Sequence, residues 1–208
     1  MQFRLVVSCC ALVGLAACGG GGNVGNPIDL SAGPGTYDDL DTATDFLKSR
    51  VASRDATTFP ASMPTYHGII LMGEDLSTAD GNPTINTGYI GQVQLTANFD
   101  GTDPTTLTGT ASNFYQTNID SIGDPGGVGS SVASDSWTIT GSNFVGADLT
   151  ISVSGTVDGI SVSGDLDGSF KGTASSTDAV GVVGATDPGD PLTVDGLPAG
   201  YDAIIAAD

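Results

Sequence analysis

The stretch from Leu149 to Phe170 constrains this chain more than any other. Leu149, Ile151, Val153, Gly155 and Val157 alternate with Thr and Ser; Asp158-Gly159 follows; then Ile160, Val162, Gly164, Leu166, Gly168 and Phe170 alternate with Ser and Asp. Alternation on both sides of an Asp-Gly pair signals a β-hairpin with a two-residue turn, because Asp and Gly tolerate the positive φ that such a turn demands. Pairing Val157 with Ile160 sets Gly155 against Val162, Val153 against Gly164, Ile151 against Leu166 and Leu149 against Gly168. Every apolar residue then lies on one face, and a slip of one residue would scatter that face. Glycines on the inward face also permit the tight curvature of a small barrel.

Other segments repeat the pattern. Tyr89, Gly91, Val93, Leu95, Ala97 and Phe99 share one parity, which Leu107, Gly109 and Ala111 continue after a loop from Asp100 to Thr106. Further strands are expected at Tyr66–Met72, Ser136–Gly141, Val180–Ala185 and Tyr201–Ala206, while the Gly- and Ser-rich segment Gly123–Ser131 reads as a loop. Seven or eight strands are enough to close a barrel and remove exposed edges. The expected fold is therefore mainly β, an eight-stranded antiparallel barrel over residues 62–208. Trp137, the sole tryptophan, is expected in the core or at a barrel end. Cys9, Cys10 and Cys18 are the only cysteines, so no disulfide can staple the barrel and its stability rests on pairing and packing.

One helix precedes the strands, over residues 37–55. Leu40, Ala43, Leu47 and Val51 recur at steps of three and four and form one apolar stripe. Thr36 can cap its start. Asp38, Asp39 and Asp41 crowd the first turns and Lys48, Arg50 and Arg54 the last, as the helix dipole favours. Such a helix either packs its stripe on the barrel or docks a partner.

Residues 1–17 have the build of an export signal: Arg4, an apolar run from Leu5 to Gly14, then Leu15-Ala16-Ala17 before Cys18. The run is too short to span a bilayer as a helix, which takes about 20 residues. Leu-Ala-Ala-Cys resembles the bacterial lipobox, which implies cleavage before Cys18 and lipidation of its thiol. Several acyl chains on one residue anchor stably where a single chain is marginal. Gly19 stands where lipoproteins of the inner membrane often carry Asp, which points to the outer membrane. Residues 18–36 then read as a lipidated cysteine and a Gly-rich tether, with an end-to-end span of roughly 25 Å as a flexible coil.

The charge balance excludes some partners. The chain carries 5 basic and 24 acidic residues; without Arg4, four cations (Lys48, Arg50, Arg54, Lys171) face 24 acids, a net charge of −20. A field of that sign repels nucleic acid and anionic head groups. All the acids but Glu74 are Asp, many beside Gly, where Asp serves tight turns by bonding its own backbone. They make either a solvated surface or a patch for a cationic partner.

Catalytic signatures are missing. His67 is the only histidine, which removes multi-histidine metal sites. No Gly-x-Ser-x-Gly elbow, P-loop or dinucleotide fingerprint occurs. Asp165-Leu-Asp167-Gly168 lacks the loop pattern of an EF-hand, and alternation points both carboxylates away from the apolar face. Tyr66 or His67 could ligate a haem iron, an idea resting on residue type alone. The chain is read as no enzyme, with no cofactor, no metal and no nucleic acid.

The strands also resemble a known family. Tyr89-Ile-Gly91, Leu95-Thr-Ala97-Asn-Phe99 and Leu107-Thr-Gly109-Thr-Ala111-Ser-Asn113-Phe114 look like paired strands in the β-barrel domain of transferrin-binding protein B. Gly168-Ser-Phe170-Lys-Gly172, followed by Ala179-Val180-Gly181, is similar to that barrel's closing motif. The resemblance covers about Thr65 to Ala185 and extends to the factor H-binding protein barrel and to transferrin-binding-protein-like solute-binding lipoproteins. It implies an eight-stranded antiparallel barrel on a lipid anchor, often displayed at the cell surface. With a single barrel it implies no transferrin binding, and no ligand-contacting residue carries over. The expectation is an outer-membrane lipoprotein, held by acyl chains on Cys18, whose barrel binds a host protein, an envelope protein or a small solute. The alternative is a structural envelope lipoprotein without a dedicated ligand.

Overall fold

The structure, a computed structural model, describes residues 30–51, 53–74, 86–119, 125–173, 175–187 and 190–208, the side chains of 45–49, 51, 74, 86 and 198–201 excepted. The expected signal at 1–17, Cys18 and the first part of the tether lie outside the described residues. A 3-10 turn at Leu30–Ala32 leads to helix α1 (Tyr37–Val51). Ten strands follow: β1 (Thr65–Glu74), β2 (Asn86–Phe99), β3 (Pro104–Ile119), β4 (Pro125–Ser131), β5 (Trp137–Val145), β6 (Asp148–Val157), β7 (Ile160–Lys171), β8 (Gly181–Ala185), β9 (Leu192–Val194) and β10 (Leu197–Ala207).

Eight antiparallel staves close on themselves. The order runs β1-β2-β3-β5-β6-β7-β8-β10, and β10 returns to β1 through seven paired residues from Gly68↔Ala207 to Glu74↔Tyr201. One stave is built in two pieces. β8 lies between the later parts of β7 and β10, and β9 between their earlier parts. The β6–β7 hairpin has the register read from the sequence, with Val157↔Ile160, Gly155↔Val162, Val153↔Gly164, Ile151↔Leu166 and Leu149↔Gly168. Asp158 and Gly159 take φ of 51° and 78°, both positive as a type I′ turn requires. β2 and β3 pair as Leu95↔Gly109 and Ala97↔Leu107, but their turn is shorter than expected. The Asp100 carboxylate accepts from the backbone N–H groups of Thr102 and Asp103 and from the Thr102 hydroxyl, so pairing resumes already at Pro104.

The segment Gly123–Ser131, expected as a loop, instead contains β4, which pairs with the far half of β3. β4 has no buried position along its length and bears no apolar alternation, the signal by which strands are recognised. Backbone pairing to a long neighbour holds it instead.

The interior is filled by side chains. Trp137, Phe114, Phe170, Ile70, Leu95 and Leu107 are all less than 2% exposed, and Val93, Ile139, Ile151 and Val162 pack among them. Glycines make room for the largest. A Cβ on Gly155 would collide with the Trp137 indole, and one on Gly91 would stand 2.6 Å from the Phe114 ring.

A bulge decides what the outer wall can bury. Asn113, at φ 56°, inserts an extra residue in β3 opposite Gly91 and so reverses the parity of the strand. Phe114 thereby enters the interior, while Tyr115, Thr117 and Ile119 turn to the outside. There Tyr115 and Ile119 join Ile69, Leu71, Ile90, Val183 and Ala206 in a second apolar cluster beneath Leu40 and Ala43 of α1, and Thr117 bonds the Tyr37 hydroxyl. The helix thus lies on the outer wall of β1, β8 and β10, which explains why β1 carries the unbroken apolar run Ile69-Ile70-Leu71-Met72. Thr36 caps α1 as expected, in a reciprocal box: its N–H and hydroxyl donate to Asp39 Oδ2 at 2.8 Å, and the Asp39 N–H donates back. Those bonds hold the exposed Asp39 carboxyl below its ordinary pKa.

Two boundaries shift. The tether was expected to run to Thr36, yet from Leu30, 2% exposed, the chain is held on the barrel. The helix was expected to reach residue 55; it ends at Val51, and Arg54 and Asp55 already belong to a segment that crosses one end of the barrel. The Ala56 N–H donates to the Phe170 carbonyl, the Gly172 N–H to that of Arg54 and the Ala179 N–H to that of Thr58. Phe59 stacks against Phe99 and Phe170, at centroid distances of 5.5 and 6.2 Å, and plugs that end.

Candidate functional site

The residues singled out from sequence do not converge. Tyr66 points into the filled interior and donates its hydroxyl to the Ala179 carbonyl at 3.2 Å, and burial pushes its phenol well above the ordinary range. A phenol so placed is a poor source of a phenolate ligand for iron. His67, one residue on, lies on the opposite face of β1, so the two cannot act on one group. Asp165 and Asp167 both stand exposed on the outer face of β7. Trp137 is a core residue, its indole N–H donating to the Thr156 carbonyl at 3.0 Å. Among the described residues no three His, Cys, Asp or Glu side chains gather in a way that could hold a metal ion. No described helix is long and apolar enough to cross a bilayer.

The interior is filled, and the outer wall has two unlike halves. Around β1, β8 and β10 it is apolar and covered by α1. From β5 to β7, and over the parts of β2 and β3 outside that apolar cluster, it is a field of hydroxyls. One row of cross-strand partners reads Thr96, Thr108, Thr140, Ser152, Asp165; the next reads Gln94, Thr110, Thr138, Ser154, Ser163, Thr193. Neighbours within a row are about 4.8 Å apart, and rows are about 6.8 Å apart along the strands. No Lys or Arg stands on β2, β3, β5, β6 or β9. Lys171 ends β7 and is bound to Asp55 at 2.6 Å; Arg50 is bound to Asp208 at 2.6 Å. Both pairs sit near the plugged end, so among the described residues the formal charges on the hydroxyl field are carboxylates.

Among the described residues two grooves stand out on this half. The larger, of about 350 Å³, lies on β5, β6 and β7 beside Asp190 and Pro191. Thr138, Thr140, Ser152, Ser154, Ser163, Asp165 and Thr193 line it together with Val153, Gly164, Asp190 and Pro191. Ser152 donates its hydroxyl to Asp165 Oδ1 at 2.6 Å, which orients that carboxylate. Among the described residues the other hydroxyls and the Asp190 carboxylate bond to no protein group, and their capacity is open to solvent or a ligand. The smaller groove, of about 180 Å³, runs between the 30–34 segment and His67, Gln92, Gln94, Thr110 and Asn113. Gln92 and Asn113 are engaged with the incoming chain. Gln92 Nε2 donates to the carbonyls of Leu30 (2.7 Å) and Gly33 (3.0 Å), and Gln92 Oε1 accepts from the Gly35 N–H (2.9 Å). Asn113 Nδ2 and the Tyr115 hydroxyl both donate to the Gly35 carbonyl. This is the seam that fastens the incoming chain, and its geometry is structural.

Sequence reading missed the hydroxyl rows as a surface. The signal was present in the Ser and Thr residues between the apolar positions, but only the register between strands aligns them into rows. Asp190 gave no signal, since nothing local places it beside β6. No family model, no curated protein and no solved structure matches this chain.

Proposed function

We propose that this chain is a lipoprotein of the bacterial outer membrane, anchored through acyl chains on Cys18, whose transferrin-binding-protein-like barrel is a non-catalytic binding module working through its outer wall. The observation that carries the binding half of this reading is the filled interior. Phe59, Phe99 and Phe170 close one end and Trp137 and Phe114 pack within, at a centroid distance of 4.9 Å, which leaves a ligand the wall and the loops. The anchoring half rests on Leu15-Ala16-Ala17-Cys18 behind a short apolar run. A thiol bearing several acyl chains would hold an acidic body at a bilayer that its charge alone would avoid.

The test is metabolic labelling with radioactive palmitate, followed by fractionation of the native chain and of Cys18→Ala. The native chain is expected to take up label and sediment with outer membranes, while the variant stays unlabelled and soluble. An unlabelled native chain, or a variant that still sediments, removes the anchor. Protease shaving of intact cells then reports the face: release of the barrel places it outside, where it meets external partners.

A further inference from the structure

The larger groove lies on the side of the barrel farthest from where the chain arrives. In the ring order β6 is four places from β1 in either direction, so the two are diametrically opposed. The chain reaches the barrel at Gln92 of β2 and then runs as α1 over β1, β8 and β10. If the anchor is at Cys18, twelve residues before Leu30, the covered side is tethered and the β5–β7 wall is the one left to present.

We infer that this groove binds a short run of an uncharged polysaccharide. Its lining decides the class of ligand. An apolar ligand finds little to match it there, because hydroxyls and two carboxylates outnumber Val153, Gly164 and Pro191 in the walls. Phosphate, sulfate and carboxylate groups meet carboxylates with no cation to offset them. What remains is a ligand rich in hydrogen-bond donors, either a polyol or a polyamine. The free hydroxyls of Thr138, Thr140, Ser154, Ser163 and Thr193 separate these two. Each can donate as well as accept, and an ammonium offers nothing to receive that donation. A sugar hydroxyl does both, and a carboxylate such as Asp165, already oriented by Ser152, can accept from two neighbouring sugar hydroxyls at once. The volume, about 350 Å³, is near the lower end of small-ligand sites and suits a short piece of a longer chain. Among the described residues no aromatic ring lines the groove to stack on a sugar face, so binding rests on hydrogen bonds and is expected on the order of millimolar.

This inference rests on the binding-module reading, and the experiment separates the two. The acylated full chain, solubilised in detergent, is screened by saturation-transfer NMR against neutral tetramers of glucose (α- and β-linked), galactose, mannose and N-acetylglucosamine. Tetragalacturonate and spermine serve as the anionic and cationic counterparts. Saturation transfer to at least one neutral tetramer is expected. It should fall at least fivefold in a Ser152→Ala, Asp165→Ala double variant and in Ser163→Tyr, which fills the groove from an exposed position. His67→Ala, on the other wall, should leave it unchanged. The Cys18→Ala chain should bind equally well, so a failed anchor does not disturb this result. Transfer to none of the neutral tetramers, transfer to spermine alone, or transfer that both groove variants leave intact overturns the inference.

Discussion

Gly155 of β6 and Trp137 of β5 occupy one site between them: the indole lies where a side chain on Gly155 would be. The alternating hairpin therefore carries a glycine at an inward position where every other odd-numbered residue from Leu149 to Val157 is branched and apolar. Because Trp137 is fully buried and its indole N–H is already bound to Thr156, it has nowhere to retreat. Gly155→Val is expected to destabilise the barrel by about 3 kcal/mol or more, as overpacking does when neighbours cannot shift. Urea unfolding followed by the fluorescence of the single tryptophan measures it, and an unchanged midpoint would contradict the packing.

The β6–β7 turn gives a second prediction. Gly159 takes φ 78° with open space around its Cα, so a side chain there meets backbone strain and no clash. Gly159→Ala should cost about 1–2 kcal/mol, the ordinary penalty for a left-handed non-glycine residue. Asp158→Gly, at the other positive-φ position, should cost less than about 0.5 kcal/mol, because glycine removes strain while adding chain entropy. Thermal unfolding of the two variants distinguishes them.

Gln92 holds the incoming chain with three hydrogen bonds, to Leu30, Gly33 and Gly35. Gln92→Ala should leave the barrel folded and loosen residues 30–35, at a cost of about 1–3 kcal/mol for the donors and acceptors left behind. Hydrogen exchange at the Gly35 amide should rise by at least tenfold while the amides of β6 and β7 keep their protection. Equal loss in both places would mean that the arm is integral to the barrel.

Asp100 gives the pH prediction. Its carboxylate accepts from the Thr102 hydroxyl and from the N–H groups of Thr102 and Asp103, which lowers its pKa from 3.8 to about 2. The folded pKa lies below the unfolded one, so the turn favours folding above about pH 4, and that contribution fades as pH falls toward 2. Following the Asp100 carboxyl carbon by NMR should show a midpoint near 2. Asp100→Asn should lower stability at neutral pH and flatten its decline in acid. A midpoint near 4 would show that the turn does not hold in solution.

What the sequence alone determined was local. The β6–β7 register, its turn, the β2–β3 pairing and the cap of α1 at Thr36 all rest on neighbours close in the chain, where alternation, turn chemistry and capping act directly. The tertiary structure decided whatever depended on distant partners. β4 is a strand because β3 runs on beyond its pairing with β5 and offers its far half to β4, although PGGVGSS itself has no strand pattern. The plug at Phe59 depends on Phe99 and Phe170, which lie 40 or more residues away. The bulge at Asn113 belongs here too, since one inserted residue sends Phe114 inward and Ile119 out to meet the helix. The hydroxyl field is shared between both levels. Alternation places Ser and Thr on the outer face of each strand, but closure of the barrel sets those faces side by side and puts the β6 part of them opposite β1, because a side chain's parity is local and its neighbours are not.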